Sequence, residues 1–329
     1  MPIVFPDILK ARKRIAGQVL RTQQRSSAAL SRIAGREIVL KCEHHQTTGS
    51  FKLRGATNAV LSLDEEQRRR GICAASTGNH GRAIAHASRA AGARAVICMS
   101  SLVPSNKVRE IKALGAEVRI VGKSQDDAQR EVDRLVAEEG MTAISPFDHK
   151  DVIAGQGTIG LEMLEDEPEL DCILVPLSGG GLISGIAMAV KTLKPEIKVI
   201  GISMARGAAM AASLKAGKPV EIEELPTLAD SLGGGIGLHN RHTFDIVRRH
   251  VDETILLTES EIAEGIRFAY FEESEILEGA AAVGIGAIIS GRFNASGKTG
   301  LVLSGRNIAM DTHRDIINGT HRACRGHDG

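Results

Sequence analysis

Asp171–Leu182 reads DCILVPLSGGGL: seven residues of almost unbroken apolar character, one serine, three glycines and the start of a second apolar run. So continuous a run suits a strand buried on both faces, as inside a parallel sheet covered by helices. The glycines that follow let successive backbone N–H groups converge at the mouth of the next helix, expected over Leu182–Leu193. A helix N-terminus favours negative charge, so Ser178, Gly179, Gly180, Gly181 and Leu182 form a cradle suited to a phosphate. The spacing is not the G-x-G-x-x-G of a dinucleotide site and lacks a Walker lysine. A tight strand–helix turn that binds nothing is the alternative reading.

The same alternation continues on either side. Ile8, Ala11, Ile15 and Val19 recur at helical spacing after Pro6-Asp7. Strands are expected at Glu37–Glu43, Ile72–Ala75, Arg94–Met99, Glu117–Val121, Thr142–Ser145, Lys198–Ser203, Thr254–Thr258 and Thr299–Ser304. Helices are expected between them, including Gly55–Leu63, Arg82–Ala91, Lys107–Leu114 and Gln125–Glu138. Strands alternating with helices predict an α/β fold of two open, mostly parallel twisted sheets flanked by helices. Residues 51–145 hold enough strands for a small domain. Residues 1–50 and 146–329 would form a larger one, with a cofactor in the cleft between the sheets at the strand C-termini.

Composition narrows the function classes. Of 329 residues, 43% are hydrophobic and 25% charged, with a net charge of +1. No overall field therefore favours nucleic acid or an anionic membrane. Aromatic residues make up 2%, with Tyr270 the one tyrosine and no tryptophan, which disfavours base-stacking platforms. No apolar run approaches the ~20 residues of a membrane span. In the N-terminal MPIVFPDILKARKR the basic cluster follows the apolar start, the wrong order for a secretory signal, so a cytoplasmic protein is expected. Cys42, Cys73, Cys98, Cys172 and Cys324 form no C-x-x-C pair and are expected to be free, mostly buried thiols without a metal or disulfide role. The Gly-rich tail after Asn318 is expected to fray.

Three further stretches carry chemistry. In Lys41–Ala56, KCEHHQTTGSFKLRGA, Lys52 stands beside Ser50 and Phe51 at the mouth of a helix. A lysine held there can condense with an aldehyde, although most lysines near a helix start are simply solvated. Ser76-Thr77-Gly78-Asn79-His80-Gly81 joins a strand to a helix. Its hydroxyl, amide and N–H donors suit a carboxylate or phenolate oxygen, with helix capping by Ser76 or Thr77 the alternative. Ser304-Gly305-Arg306-Asn307 ends the last clear strand and places a hydroxyl at its C-terminus. The cluster Ser231–Gly237, SLGGGIG, reads as a loop.

In this order and setting, these motifs resemble the fold-type II pyridoxal phosphate enzymes, whose architecture is like the tryptophan synthase β chain. The similarity is greatest to the threonine/serine dehydratase branch and runs from about Ile8 to Ile317. The resemblance implies that Lys52 carries pyridoxal 5'-phosphate, that Phe51 flanks its ring and that Asn79 meets its ring oxygen. It also implies that Ser178–Leu182 holds the phosphate, that Ser304 meets the pyridine nitrogen, and that Ser76, Thr77, His80 and Glu278 face an amino-acid substrate. Lys52 and Thr77 would be the catalytic residues. Pro146–Thr158, PFDHKDVIAGQGT, follows the branch closely. The implied reaction removes a β-hydroxyl from a small-molecule amino-acid substrate to give a 2-oxo acid and ammonia, and the implied assembly is a homodimer.

Departures refine this expectation. Arg21-Thr22-Gln23-Gln24 stands where relatives usually read RTPL, which bears on packing or subunit contact. Ser203, followed by MARGAAM, stands where some relatives place an acidic metal ligand, so that metal site is expected to be absent. Thr77 replaces the serine of racemases, and no regulatory domain of the biosynthetic type follows SGRN. TTGSFKLRGATNAV with SLGGGIGLHNRHTF looks most like dehydratases of hydroxyectoine utilisation. A serine or amino-acid racemase and a non-catalytic cofactor-binding homologue are the alternatives.

Overall fold

The computed structural model describes residues 2–76, 78–103 and 105–322. Its strands are β1 (Gln24–Ser26), β2 (Ile38–Lys41), β3 (Ile72–Ala75), β4 (Ala95–Met99), β5 (Glu117–Ile120), β6 (Thr142–Ala143), β7 (Cys172–Pro176), β8 (Lys198–Met204), β9 (Glu253–Leu257) and β10 (Thr299–Val302). They form a six-stranded sheet, β1-β2-β10-β7-β8-β9, and a four-stranded sheet, β5-β4-β3-β6. Neighbouring strands are parallel throughout except β1, which runs antiparallel to β2. The α/β class and the two mostly parallel sheets are as the sequence predicts.

Strand position follows side-chain character. β2, β7 and β10 are buried at every residue and lie inside the large sheet, whereas β5, with exposed and half-buried residues, forms an edge of the small one. In register, Thr299 lies beside both Ile38 and Cys172. Parallel pairing therefore sends the chain out of β2, β10 and β7 at the same edge of the sheet. The three segments that emerge there are Cys42–Phe51, Leu303–Asn307 and Leu177–Gly180.

Helix Lys150–Asp166 connects the two halves of this arrangement. It packs against helix Lys52–Ser62 on one side and helix Gly181–Leu193 on the other. Both crossings need glycine for close approach. A Cβ on Gly155 would lie 2.7 Å from the Arg54 carbonyl oxygen, and one on Gly185 would lie 2.4 Å from that of Ile153. Backbone against backbone leaves no room for a side chain to yield.

Two helices begin earlier than apolar spacing predicts. Helix Lys52–Ser62 starts at Lys52 rather than Gly55, and helix Asn79–Ala90 at Asn79 rather than Arg82. Apolar periodicity marks packed turns, and both first turns carry polar residues instead. Strand β1 and helices Ala28–Ala34 and Glu65–Arg70 carry little periodic signal; the last buries none of its residues and is held by a reciprocal Asp64–Gln67 cap. Cys42, Cys73, Cys98 and Cys172 are free and buried, as expected, while Cys324 lies outside the described residues.

Beneath helix Lys52–Ser62 lies a buried ionic cluster. Arg54 donates to Glu43 through Nε and one Nη, both at 2.8 Å, and to Glu162 at 2.6 and 2.8 Å. Lys41 donates to Glu162 at 2.6 Å and to the Thr22 carbonyl oxygen at 2.9 Å. Thr22, from the segment that departs from RTPL, donates its hydroxyl to Glu43. Two cations thus balance two carboxylates, and the flanking Arg21 pairs with Glu165 and Asp166 of the same chain. Arg54→Met would leave two buried carboxylates against one cation. We expect a loss of about 3–5 kcal/mol, seen as a lower urea midpoint with an unchanged slope.

Candidate active site

The segments leaving β2 and β10 are zipped together. Phe51 donates its N–H to the Ser304 carbonyl oxygen at 3.0 Å, Arg306 donates to that of Gly49 at 2.9 Å, and Ser50 bridges Gly305 antiparallel. This pairing sets buried Ser304 beside Phe51 and Lys52. Lys52 is the first residue of its helix, and Phe51 takes the N-cap position without a side-chain cap. The Lys52 amine donates to the Pro146 carbonyl oxygen at 2.7 Å and lies 5.2 Å from the centroid of the Phe51 ring. Burial pulls its pKa down to about 8, against the smaller opposing effect of the Glu278 charge. An amine so placed is a nucleophile and a proton acceptor near neutral pH.

The segment leaving β7 forms the cradle. Gly180 is the N-cap of helix Gly181–Leu193 at φ 88°, a left-handed conformation suited to glycine. Gly179 faces Phe147, whose ring a Cβ would approach to 2.4 Å. Ser178 is half-buried and Leu182 is buried in the core below. The first N–H groups of this helix have no partner within the helix itself. Phe147 is held from behind by Asp148, which accepts from the N–H groups of Arg241, His242 and Thr243 at 2.6, 2.9 and 3.0 Å.

The small sheet supplies the third side through the segment after β3. Buried Asn79 donates from Nδ2 to both oxygens of Glu278, at 2.8 and 3.1 Å, and accepts from Asn307. Glu278 is buried at the start of helix Gly279–Ile289 and also accepts from the Asn307 N–H at 3.1 Å. Burial pushes its carboxyl up to about 7, opposed by the Asn79 amide. His80 is buried, with Nε2 2.8 Å from the Ile144 carbonyl oxygen. Since a carbonyl only accepts, Nε2 carries the proton, and Nδ1 is an acceptor with no hydrogen-bond partner. Burial, then the Lys52 charge, pulls the His80 pKa down to about 3, so the ring is neutral at physiological pH. Ser76 accepts the Gly81 N–H at 3.1 Å, while the N-cap is Gly78.

The fold therefore brings the glycine cradle, Lys52, Ser304, Asn79, His80 and Glu278 to facing strand ends. Thr77 lies outside the described residues. Glu278 is not a solvent-facing cap, because its carboxylate pairs with an amide 199 residues away. The roles of Pro146, Phe147 and Asn307 were not read from the sequence, although all three stand inside quoted motifs. Their backbone and amide contacts have no signature in residue type. A cleft of about 340 Å³ borders the site, with Thr47, Thr48, Gly49, Arg82, Arg306 and Asn307 in its wall. Loop Ser231–Gly237 begins in a short 3-10 turn and continues as irregular backbone, as predicted.

These residues fit a phosphorylated aromatic aldehyde. The cradle offers backbone donors at a helix N-terminus, and the half-buried amine has, among the described residues, a carbonyl partner that can be exchanged.

Residues 15–305 match the family described as pyridoxal-phosphate dependent enzymes. A Sinorhizobium fredii protein provisionally named as a threonine dehydratase is 58% identical over 318 residues, covering 96% of each chain. The L-threonine ammonia-lyase of Thermotoga maritima is 40% identical, with 96% of this chain and 78% of that one covered. The solved structure of maize serine racemase superposes with a TM-score of 0.90 at 34% identity, covering 97% of this chain and 98% of that one.

Trapping of an aldehyde on Lys52 by borohydride, in protein freed of cofactor and read by peptide mass spectrometry, should rise with pH and level off above about 8. Because the Glu278 charge raises the Lys52 pKa, Glu278→Gln should move the midpoint to lower pH.

Proposed function

This chain belongs to the pyridoxal-phosphate dependent enzymes, and from that premise we propose that it eliminates the β-hydroxyl of a hydroxy amino acid. The products are a 2-oxo acid and ammonia. Its likeness to a threonine dehydratase and an L-threonine ammonia-lyase over nearly the whole chain supports a carbon–nitrogen lyase. The observation that carries this reading is the half-buried Lys52 amine, lowered to about pKa 8, set between the glycine cradle and buried Ser304.

In this reading Ser178, Gly179, Gly180, Gly181 and Leu182 hold the phosphate, Phe51 flanks the ring, and Asn79 orients it under the control of Glu278. The Ser304 hydroxyl meets the pyridine nitrogen. A neutral hydroxyl, unlike a carboxylate, does not hold that nitrogen protonated. Bound pyridoxal phosphate supplies an electron sink that makes the substrate's Cα–H acidic. Lys52 Nζ takes the Cα proton, which it can do near neutral pH because burial has already disfavoured its charged form. Ser76 and Thr77 receive the substrate carboxylate, and neutral His80, its one ring proton given to the Ile144 carbonyl oxygen, packs beside them. Residues 1–50 with 146–329 would form one domain and 51–145 the other, closing on the substrate from two sides.

The finer reading is a hydroxylated amino acid related to threonine, of the kind released in hydroxyectoine breakdown. Arg306 in the wall of the neighbouring cleft, where Arg82 is paired with Glu110, suits a side chain longer and more polar than that of threonine. A cytoplasmic homodimer without nucleic-acid or membrane partners belongs to the same proposal; among the described residues no helix is long and apolar enough to cross a membrane. The likeness to maize serine racemase favours racemisation as the second reading.

Incubation with L-threonine, L-serine and threo-3-hydroxyaspartate should yield 2-oxo acid from at least one of them. D-Serine without oxo acid would establish the racemase instead. No product from any of them, despite a lysine-bound cofactor, would leave a binding protein. Lys52→Ala should abolish turnover, and near-normal turnover in that variant would sink the assignment.

A further inference from the structure

A second cluster of ligand-type side chains lies outside the site described above. Cys42 Sγ, a ring nitrogen of His45 and a Glu275 carboxylate oxygen lie within 4.8 Å of one another. His45 Nε2 is 3.0 Å from Glu275 Oε2, and His44 Nε2 is 2.9 Å from the same oxygen. Cys42 is wholly buried, whereas the His45 side chain is 39% exposed and leaves a path from solvent. A thiol, an imidazole and a carboxylate around one point are the donors that zinc selects, and three protein ligands leave its fourth position to water.

We propose that Cys42, His45 and Glu275 form a site for a borderline-soft divalent cation, zinc or its cobalt surrogate, separate from the active site. Contraction to ligand distances of about 2.0–2.3 Å asks for small side-chain movements only. Cys42 Sγ loses its proton to solvent as the metal–sulfur bond forms. The His45 ring proton moves from Nε2 to Nδ1, so that Nε2 presents its lone pair. His44 keeps its hydrogen bond to Glu275 and holds the carboxylate in place, as partners of ligating carboxylates commonly do.

The charges around the cluster permit this. Arg25 stands against the Cys42 thiol and lies 3.4 Å from Glu275, but its closer ion-pair partner is Glu273 at 2.8 Å, towards which it would turn as a cation enters. With Glu275 ionised, the cluster already carries one negative charge, and a second appears when the thiol ionises. Cys42 is buried and its thiol donates to the Leu40 carbonyl oxygen, so a cation must displace that proton in order to bind.

Position gives the site its interest. Cys42 and His45 open the segment that leads to Lys52, and Glu275 opens the one that leads to Glu278. A bound cation would clamp these two segments together at their base.

The proposal does not rest on the lyase reading, because its test reads metal binding. Holoenzyme stripped with a chelator is titrated with cobalt(II), followed by absorption and equilibrium dialysis. One ion per chain should bind, with a thiolate-to-cobalt charge-transfer band, and zinc should displace it. Affinity should rise about tenfold per pH unit above neutrality, one thiol proton being released per ion. Cys42→Ser should lose the band. Since Cys42 is buried and its variant risks misfolding, exposed His45→Ala is the second test, expected to weaken binding by about 100-fold or more. His239→Ala, an exposed histidine elsewhere, should change nothing. Cobalt binding without the band, or with equal affinity in His45→Ala, overturns the proposal.

Discussion

Arg54 stands two residues from the reactive lysine, and its guanidinium has no contact with solvent to fall back on. A buried guanidinium survives only when its donors are used and its charge is matched. Glu43, the Leu20 carbonyl oxygen, and Thr158 and Glu162 of one helix meet those requirements from three separate parts of the chain. Glu43 follows β2, Glu162 belongs to the helix that links the two halves of the molecule, and Leu20 precedes β1. One side chain therefore decides how the segment after β2, the bridging helix and the N-terminal segment sit together. Lys52 inherits its position from that agreement.

The other half of the site is set by a different kind of constraint. The short antiparallel bridge between Ser50 and Gly305 uses only backbone groups, so it places Ser304 next to Lys52 without regard to side-chain identity. A side-chain network then carries the arrangement across to the small sheet. Asn307 spans Thr48 and Asn79, and Glu278 spans Asn79 and the Asn307 N–H. Glu278 is held between ionised and neutral forms by burial on one side and donors on the other, so its charge state and that of Lys52 depend on each other.

Much of this could be read from residue order. Strand β7 was visible because it shows continuous apolar character, and the cradle because three glycines follow soon after it. Lys52, Asn79 and Ser304 were visible only as members of recurring motifs; no single position marks them physically. β1 was not visible, because Gln24–Ser26 is short, polar and only half-buried, and its strand character comes from pairing with β2. The ionic cluster was hidden for another reason. Lys41, Glu43 and Arg54 look like ordinary charged residues until the fold sets Glu162 among them, 108 positions from Arg54. The same holds for Glu275 beside His45, 230 positions away.

Asn307 holds the Thr48 carbonyl oxygen across 259 residues of chain. During synthesis Lys52 leaves the ribosome well before the strand that zips against its loop, which is made about 250 residues later. At about 5–20 residues per second, the lysine spends on the order of ten seconds or more as an ordinary solvated amine. Its native surroundings require β10 paired between β2 and β7, so the order in which the parts appear separates the making of the lysine from the assembly of its site.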